Sequence, residues 1–155
     1  MQAMKPVIGY RLSFTSKSPD LTSKVSYEGN LHTRAIHTRS GSEIETDAPT
    51  DNGGQGERFS PTDLVATALA SCMCTVMGIS ANNRGKELGR IECEVEKIMA
   101  ANPRRISEIK VNMTVLGPQE YSDHERKILE RAALTCPVIE SLHPDCIKTV
   151  LFSWP

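Results

Sequence analysis

The amino-acid sequence predicts an α+β fold in which antiparallel sheets pack around one long central helix. Strand-like segments occur in groups before and after the helical segments, an order that argues against a doubly wound parallel sheet. Residues 64–83 carry no charged side chain and follow directly on a strong helix start. Residues 90–99 and 109–115 alternate between apolar and polar side chains. This alternation predicts a β-hairpin with one face buried and one face in water.

Composition and charge fit one globular domain and exclude several kinds of partner. The chain has 155 residues, a net charge of -1, 24% charged residues and 39% apolar residues. That length suits one domain with its own core, and nothing indicates a basic face. Nucleic acid and an anionic membrane are therefore not expected as partners. The N-terminus lacks the apolar segment of a secretory signal, and five cysteines without secreted-domain spacing indicate a reducing cytoplasm.

The first part of the chain predicts an antiparallel meander followed by a loop. Residues 6–14 form one candidate strand, and residues 24–38 form two more, separated by a turn at 28–30. Residues 43–47 alternate again and complete the meander. Residues 48–59 contain a proline and three glycines, so no regular structure is expected there. Loops of this length are uncommon unless they are functional.

The central helix is predicted at residues 60–83. Ser60 is a favourable N-cap, Pro61 suits the first helical position, and Asp63 completes a capping box. Apolar side chains lie on all sides of this helix, so we expect protein to surround most of it. They are Leu64, Val65, Leu69, Met73, Val76, Met77 and Ile79. The segment approaches the length of a membrane span, but its Thr, Ser and Gly residues favour a buried helix.

The C-terminal half, residues 90–154, is predicted to continue with helices and one last strand after the hairpin. Residues 122–125, Ser-Asp-His-Glu, form a capping box at the start of a helix. Pro137 disturbs that helix, so a second short helix is expected over 138–142. Residues 147–154 are predicted to close the chain as a strand.

Two of the cysteines lie two residues apart in the central helix and do not form a motif together. Cys72 and Cys74 point about 200° apart at 3.6 residues per turn. They can therefore neither bond to each other nor share one metal ion. Cys72 lies twelve residues beyond the Ser60 cap. Because apolar surroundings disfavour a thiolate, Cys72 needs a cation from elsewhere to become reactive.

The other cysteines differ in what their positions predict. Cys93 lies in the buried phase of its strand and is expected to act as a small apolar side chain. Cys146 lies near a turn, and no role is expected for it. Cys136 precedes Pro137 at a helix junction. If Thr135 caps a new helix, Cys136 takes the first helical position, where the helix N-terminus favours its thiolate.

Two cysteine motifs in this sequence resemble those of the OsmC/Ohr family, the osmotically inducible protein C and organic hydroperoxide resistance proteins. Residues 60–65, SPTDLV, followed by 68–72, ALASC, are similar to the first motif of that family. Residues 136–138, CPV, are similar to the second. The order of elements also fits from about residue 24 onward. The resemblance implies one OsmC-like domain over residues 1–155 and an intertwined homodimer with an active site at each interface.

The resemblance also implies an activity, a thiol peroxidase that reduces organic hydroperoxides in oxidative stress defence. Cys72 matches the peroxidatic cysteine of the family and Cys136 the resolving cysteine, so the two are implied to form a disulfide. A dithiol reductant is implied, which is of the lipoyl type in characterised branches. No cofactor and no metal ion are implied.

An arginine and an acidic residue hold the peroxidatic thiolate in this family. The candidates here are Arg39 for the arginine, with Arg34 and Arg58 as alternatives, and Asp63 and Glu57 for the acid. Thr62 stands where the hydroperoxidase branches have an acid, and Asp63 follows one position later, about 100° around the helix. Whether Asp63 belongs to the site or only caps its helix is open at this point.

Two further hypotheses follow from the residues. The absent acid at Thr62 favours a non-enzymatic protein of the same fold, with a role in stress or in ligand binding. A thiol–metal site would combine Cys72 or Cys136 with a histidine, but the histidines lack the usual ligand spacing. The histidines considered are His143, His32 and His37.

Overall fold

The computed structural model describes residues 21–117 and 120–155, and the strand predicted at 6–14 lies outside this part of the chain. Six strands and three helices follow one another in these residues. In chain order they are β1 (Ser23–Gly29), β2 (His32–His37), β3 (Glu43–Asp47), α1 (Pro61–Asn82), β4 (Arg90–Ala101), β5 (Arg104–Leu116), α2 (Asp123–Ala133), α3 (Pro137–Ser141) and β6 (Ile147–Ser153).

The strands form two three-stranded sheets. The first sheet has the order β1-β2-β3 and is antiparallel throughout, and the second has the order β4-β5-β6. In the second sheet β4 and β5 form the predicted antiparallel hairpin, whereas β6 runs parallel to β5. The expectation of purely antiparallel sheets was therefore wrong for β6. The reason is that α2 and α3 carry the chain back along the sheet before β6 begins, which is the connection that a parallel pair requires.

The central helix starts as the sequence predicts. The Asp63 backbone N–H donates to Ser60 Oγ at 3.1 Å, and the Ser60 backbone N–H donates to Asp63 Oδ2 at 2.7 Å. Pro61 occupies the first helical position, where its missing N–H has no intrahelical partner to lose. The helix ends at Asn82, one residue before the predicted end.

One side of α1 is buried in this chain, and the opposite side is open. The buried side packs on the second sheet and on α2, and it consists of Ala66, Leu69, Ala70, Met73, Met77 and Ala81. Val65 and Ile79 are exposed, Ile79 by 54%. The expected covering on most sides is therefore not supplied by the described residues of one protomer. By length and composition α1 could also cross a membrane, a property that core helices of soluble proteins share.

The core lies between α1 and the second sheet. Alternate residues of β5 point into it, namely Ile109, Val111, Met113 and Val115. Leu129 and Ala133 of α2 close the core from the side opposite the sheet. This packing fixes the rotation of α1, and so decides which neighbour each of its side chains meets.

The loop before α1 contains one short regular element. Thr50–Asn52 form a single 3₁₀ turn, so the expectation of no regular structure over 48–59 was wrong for these three residues. Gly53 ends the turn with a φ of 76°, in the left-handed region that glycine enters without strain. The loop joins the two sheets through Arg104, whose guanidinium pairs with Asp51 at 3.0 Å.

The two C-terminal helices meet at Cys136. The predicted capping box of α2 is present, with Ser122 and Glu125 bonded reciprocally. In α3 Pro137 takes the first helical position, and Cys136 is the N-cap with extended backbone angles. Cys136 thus lies one position earlier than the sequence predicts, because proline with its fixed φ is better suited than cysteine to the first position.

Candidate redox site

The structure brings Cys72 and Cys136 together. Cys72 lies half-buried near the middle of α1, and Cys136 is fully buried at the start of α3, which packs against α1. The Cys72 thiol lies near enough to the Cys136 thiol to raise its pKa. Both are free thiols in this structure. Two cysteines 64 residues apart in the sequence therefore lie together as a candidate dithiol site.

Within this pair the two sulfurs are not equivalent. Burial raises the pKa of the Cys136 thiol, and the contact with Cys72 raises it further, whereas the backbone N–H groups of Ile139 and Val138 act in the opposite direction. The Cys136 thiol therefore resists the loss of its proton.

Cys72 lies in an exposed apolar stripe of α1. Val65 and Ile79 are seven residues before and after it, and seven residues turn an α-helix back to within about 20° of the same direction. Val65 is 39% exposed and Ile79 is 54% exposed. A small apolar molecule that reaches Cys72 along this stripe therefore meets aliphatic side chains on both sides.

None of the candidate arginines contributes to the shifted pKa of the Cys136 thiol, which lies beside Cys72. Arg34 pairs with Glu43 at 2.6 Å and Arg58 pairs with Glu45 at 3.0 Å. Arg39 is exposed in the turn after β2. Arg39 is seven residues beyond His32, which corresponds to about 20 Å between them along the strand direction. It therefore lies at the end of the first sheet away from α1. The assignment of Arg39 stays a prediction.

The two candidate acids lie at the start of α1. Asp63 forms the cap of its helix, and its carboxylate also pairs with Lys97 Nζ at 2.6 Å. It precedes Cys72 by nine residues, or about 14 Å along the helix axis. Glu57 is exposed and donates its backbone N–H to Asp47 Oδ2 at 3.1 Å. The capping role of Asp63 is thus present, and a role of either acid at Cys72 stays a prediction.

Lys97 is a polar residue of this region that the sequence reasoning missed. Its side chain is only 15% exposed, and Nζ lies 2.8 Å from Thr62 Oγ1 and 3.2 Å from Ser60 Oγ besides its contact with Asp63. The signal was available, since Lys97 shares the inward phase of Ile91, Cys93 and Val95. Lys97 and Asp63 line a cleft of about 690 Å³ together with Glu57 and Arg58.

Cys74 and Cys93 form a second sulfur contact, which the sequence reasoning also missed. The two Sγ atoms are 3.4 Å apart, and both residues are half-buried. The sequence predicts Cys93 as a small apolar side chain and indicates for Cys74 only that it points away from Cys72. The available signal was that Cys74 lies on the helix side opposite Cys72, while Cys93 lies on the strand face that must cover α1.

The histidines are engaged in local contacts. His32 Nδ1 lies 2.6 Å from Asp47 Oδ1, and His37 Nδ1 lies 2.6 Å from Ser40 Oγ. His143 accepts the backbone N–H of Asp145. Within residues 21–117 and 120–155 no group of three or more His, Cys, Asp or Glu side chains is arranged to hold a metal ion.

These features define a class of protein, an α+β fold in which a half-buried thiol of a central helix faces a second thiol at the start of a short following helix. The family described as OsmC-like protein matches residues 54–150, more than half of the chain. The chain belongs to this family, and the resemblance noted from the two cysteine motifs is confirmed.

Several solved structures share the fold, which confirms its predicted α+β class. A protein of Psychrobacter arcticus 273-4, proposed to act in the osmotic stress and detoxification response, is 49% identical, with a TM-score of 0.82 over 89% of this chain and 99% of its own. An OsmC-like protein of Mycoplasma pneumoniae is 17% identical, with a TM-score of 0.70 over 90% of this chain and 99% of its own.

An organic hydroperoxide resistance protein of Legionella pneumophila is 17% identical, with a TM-score of 0.68 over 88% of this chain and 99% of its own. At 17% identity the Mycoplasma and Legionella structures support the fold alone. No match was found among functionally curated proteins.

Proposed function

We propose that this protein is a thiol peroxidase that reduces organic hydroperoxides with Cys72 and Cys136. Family membership and the proposed stress and detoxification role of the Psychrobacter relative support a stress-related role for this chain. The proximity of the Cys72 and Cys136 thiols, where α3 packs against α1, is the single observation that carries the more specific activity.

The first step is an attack of the Cys72 thiolate on the O–O bond of the hydroperoxide. A bond forms between the sulfur and the terminal peroxide oxygen, the O–O bond breaks, and the other oxygen takes a proton and leaves as an alcohol. Cys72 is oxidised to a sulfenic acid and the peroxide is reduced. The raised pKa of the Cys136 thiol supports this order of events, because Cys136 keeps its proton while Cys72 attacks.

The second step closes the disulfide and the third restores the thiols. The Cys136 sulfur attacks the Cys72 sulfenic sulfur, an S–S bond forms, and the hydroxyl leaves as water. A small dithiol of the lipoyl type, which the resemblance implies, then reduces this disulfide by two thiol–disulfide exchanges and is itself oxidised. Cys136 lies near Cys72 before the reaction begins, because α3 packs against α1.

The substrate class follows from the surroundings of Cys72. Val65 and Ile79 flank it on the open side of α1, so the approach is apolar. Burial of apolar surface contributes about 25 cal/mol per Å², which favours an alkyl hydroperoxide over hydrogen peroxide. Charged peroxides gain no ion pair from these two side chains.

The site is completed, in this proposal, by a second copy of the chain. The described residues of one protomer leave the stripe around Cys72 open, and they bring none of the candidate arginines to the Cys136 thiol beside it. A homodimer with its active sites at the interface covers the stripe and supplies the cation. The five free thiols fit a reducing cytoplasm as the place of action.

The proposal is tested by peroxide consumption with cumene hydroperoxide and a dithiol reductant. Cys72→Ser should lower turnover strongly, because the attacking sulfur of this site is lost. Cys146→Ser is the matched control, since Cys146 is a buried cysteine outside the Cys72–Cys136 contact and should leave turnover unchanged. Equal turnover by Cys72→Ser and wild type would contradict the proposal and favour a non-enzymatic stress or ligand-binding role.

Mass spectrometry gives an independent readout in the same Cys146→Ser protein. Trypsin then releases Cys136 as the single cysteine of peptide 132–148, and Cys72 lies in peptide 59–84. After one equivalent of hydroperoxide we expect these two peptides to be linked by a disulfide. If both peptides carry only alkylated thiols, the two-cysteine mechanism is wrong.

A further inference from the structure

We propose that Cys74 and Cys93 form a second redox-active dithiol, which a hydroperoxide closes into a disulfide that joins α1 to β4. Their Sγ atoms are 3.4 Å apart, and both residues are half-buried rather than enclosed in the core. The pair is separate from Cys72 and Cys136, since Cys72 and Cys74 point about 200° apart on α1.

The contact is fixed by the way α1 lies along β4. Asp63 is eleven residues before Cys74, a separation that returns to within about 20° of the same helix side. Lys97 is four residues beyond Cys93, on the same face of its strand. The Asp63–Lys97 ion pair at 2.6 Å therefore holds one end of the α1–β4 contact and the two thiols meet at the other.

The distance between the ion pair and the thiols is also similar along the helix and along the strand. Eleven helical residues rise about 16 Å and four strand residues about 13 Å, so the helix and the strand run past each other over a similar distance. A local shift of Cys74 and Cys93 is therefore resisted by a polar contact several turns away. The proximity of the two sulfurs follows from the packing of the elements.

The protonation of the pair assigns a role to each sulfur. Burial raises the pKa of Cys93 to about 12, and the hydrogen bond with Cys74 contributes to this rise. Cys93 therefore keeps its proton at neutral pH, and its sulfur lies 3.4 Å from that of Cys74. Cys74 is the sulfur that attacks an oxidant, and Cys93 is the sulfur that resolves the product.

The surroundings of the two sulfurs favour an uncharged oxidant. Cys93 lies between Ile91 and Val95 on the face of β4 that packs on α1. Glu92 and Glu94 point to the opposite face. A neutral hydroperoxide enters this apolar contact at a lower desolvation cost than an anionic disulfide.

The chemistry balances with a hydroperoxide as the only oxidant. Cys74 sulfur bonds to the terminal peroxide oxygen, the O–O bond breaks, and an alcohol leaves with a proton. Cys93 sulfur then bonds to the Cys74 sulfenic sulfur and water leaves. Two thiols are oxidised by two electrons and one hydroperoxide is reduced to an alcohol and water. The oxidant is of the class named in the proposed function, but no step passes through Cys72 or Cys136.

The test uses the full chain with Cys72→Ser and Cys136→Ser combined, so that the first dithiol is absent. Diamide, an uncharged azo compound that takes up two hydrogens from a pair of thiols, and cumene hydroperoxide are applied separately. Trypsin releases Cys74 in peptide 59–84 and Cys93 in peptide 91–97. We expect a disulfide between these peptides with either oxidant, reversed by dithiothreitol, while Cys146 remains alkylated.

Adding Cys93→Ser to this variant is the matched control and should abolish the link. Wild-type protein should give the same link between peptides 59–84 and 91–97, so the result does not depend on the folding of the variants. Alkylated Cys93 after both oxidants, in wild type and variant alike, would overturn the inference. A link between peptides 59–84 and 91–97 in the variant, with no link between peptides 59–84 and 132–148 in Cys146→Ser, would support the second dithiol and reject the proposed function, so the two failures are distinguishable.

Discussion

At the scale of single residues, the protonation of Cys136 is central to the proposed mechanism at Cys72. Cys136 is fully buried, and burial raises the pKa of its thiol. In the proposed mechanism Cys136 is therefore first a protonated neighbour of Cys72 and only later a nucleophile toward the oxidised sulfur. Both roles require that the two residues lie together before the reaction begins.

Replacement of Cys136 separates these two roles. Cys136→Ser keeps a hydrogen-bond donor beside Cys72 but removes the resolving sulfur. We expect the first step to persist, with one equivalent of hydroperoxide consumed at Cys72, and steady-state turnover with a dithiol to slow strongly. Dimedone labelling of the Cys72 sulfenic acid, followed by mass spectrometry, checks the trapped intermediate.

A matched variant is Cys146→Ser, which should consume hydroperoxide continuously and accumulate no labelled sulfenic acid. Unchanged steady-state turnover of Cys136→Ser would contradict the resolving role, because the disulfide between Cys72 and Cys136 would then not lie on the reaction path.

Only one of the two cysteine contacts could be anticipated from the sequence. The motifs around Cys72 and Cys136 carry a family resemblance that pairs them, although they are 64 residues apart. Cys74 and Cys93 have no such motif. Helical periodicity shows that Cys74 faces away from Cys72, but which strand it meets depends on the rotation of α1 against the sheet, and that is set by core packing of distant residues.

At the scale of elements, a small polar cluster fixes α1 against β4. Asp63 caps the helix and pairs with Lys97, whose ammonium group also lies near Thr62. Burial acts to raise the pKa of Asp63, but the hydrogen bonds from Lys97 and Ser60 outweigh it, so the pKa is lowered overall. The carboxylate is therefore bound in its charged form.

Replacement of Asp63 should make stability less dependent on acid pH. Asp63→Asn keeps the shape of the cap but leaves Lys97 without its counter-charge. Because 37% of the Asp63 side chain is exposed, solvent screens the pair, and we expect a loss of about 1 kcal/mol in the free energy of unfolding near neutral pH. Urea unfolding of both proteins measures this loss.

The sign of the pH effect follows from the lowered pKa of Asp63 in the folded protein. The stabilisation is fully present above the pKa that Asp63 has in the unfolded chain, about 4. It is lost as the pH falls through the lower pKa of Asp63 in the folded protein. The difference between wild type and Asp63→Asn should therefore shrink in acid. Asp51→Asn, in the more exposed pair with Arg104, is the control and should change little. A difference that grows toward low pH would refute this account.

Local signals predicted the elements well, and non-local ones were missed. Both capping boxes and the β4–β5 hairpin depend on residues close in sequence, and the structure contains them as predicted. The parallel direction of β6 depends on the path by which α2 and α3 return the chain along the sheet. No short segment of the sequence encodes that path. The inward position of Lys97 was available from the period of two but was hidden among solvent-facing glutamates.

At the scale of the whole molecule, the first sheet and α1 expose more apolar side chains than a monomeric protein usually does. Val25, Tyr27 and Ile44 of the first sheet are 67%, 65% and 49% exposed. The open side of α1 adds Val65 and Ile79. Extended apolar surfaces of this kind mark protein interfaces, and this supports the proposed homodimer, in which a second copy covers the stripe around Cys72.

The open side of α1 offers a direct test of that proposal. Ile79→Glu places a charge on the stripe seven residues beyond Cys72, where the side chain is 54% exposed in one protomer, so the fold of the chain itself should tolerate it. Leu151→Glu is the matched control, because Leu151 is 61% exposed on β6 of the second sheet, away from α1. Light scattering after size-exclusion chromatography gives the mass of each protein.

We expect wild type and Leu151→Glu to be dimers and Ile79→Glu to be a folded monomer, since burial of an unpaired carboxylate at an interface is strongly unfavourable. If the active site needs the second copy, peroxide turnover should fall in Ile79→Glu together with the mass, and it should recover at protein concentrations that restore the dimer. A dimeric Ile79→Glu would show that the stripe around Cys72 is not the interface. A monomer with full turnover would show that the cation at Cys72 comes from its own chain.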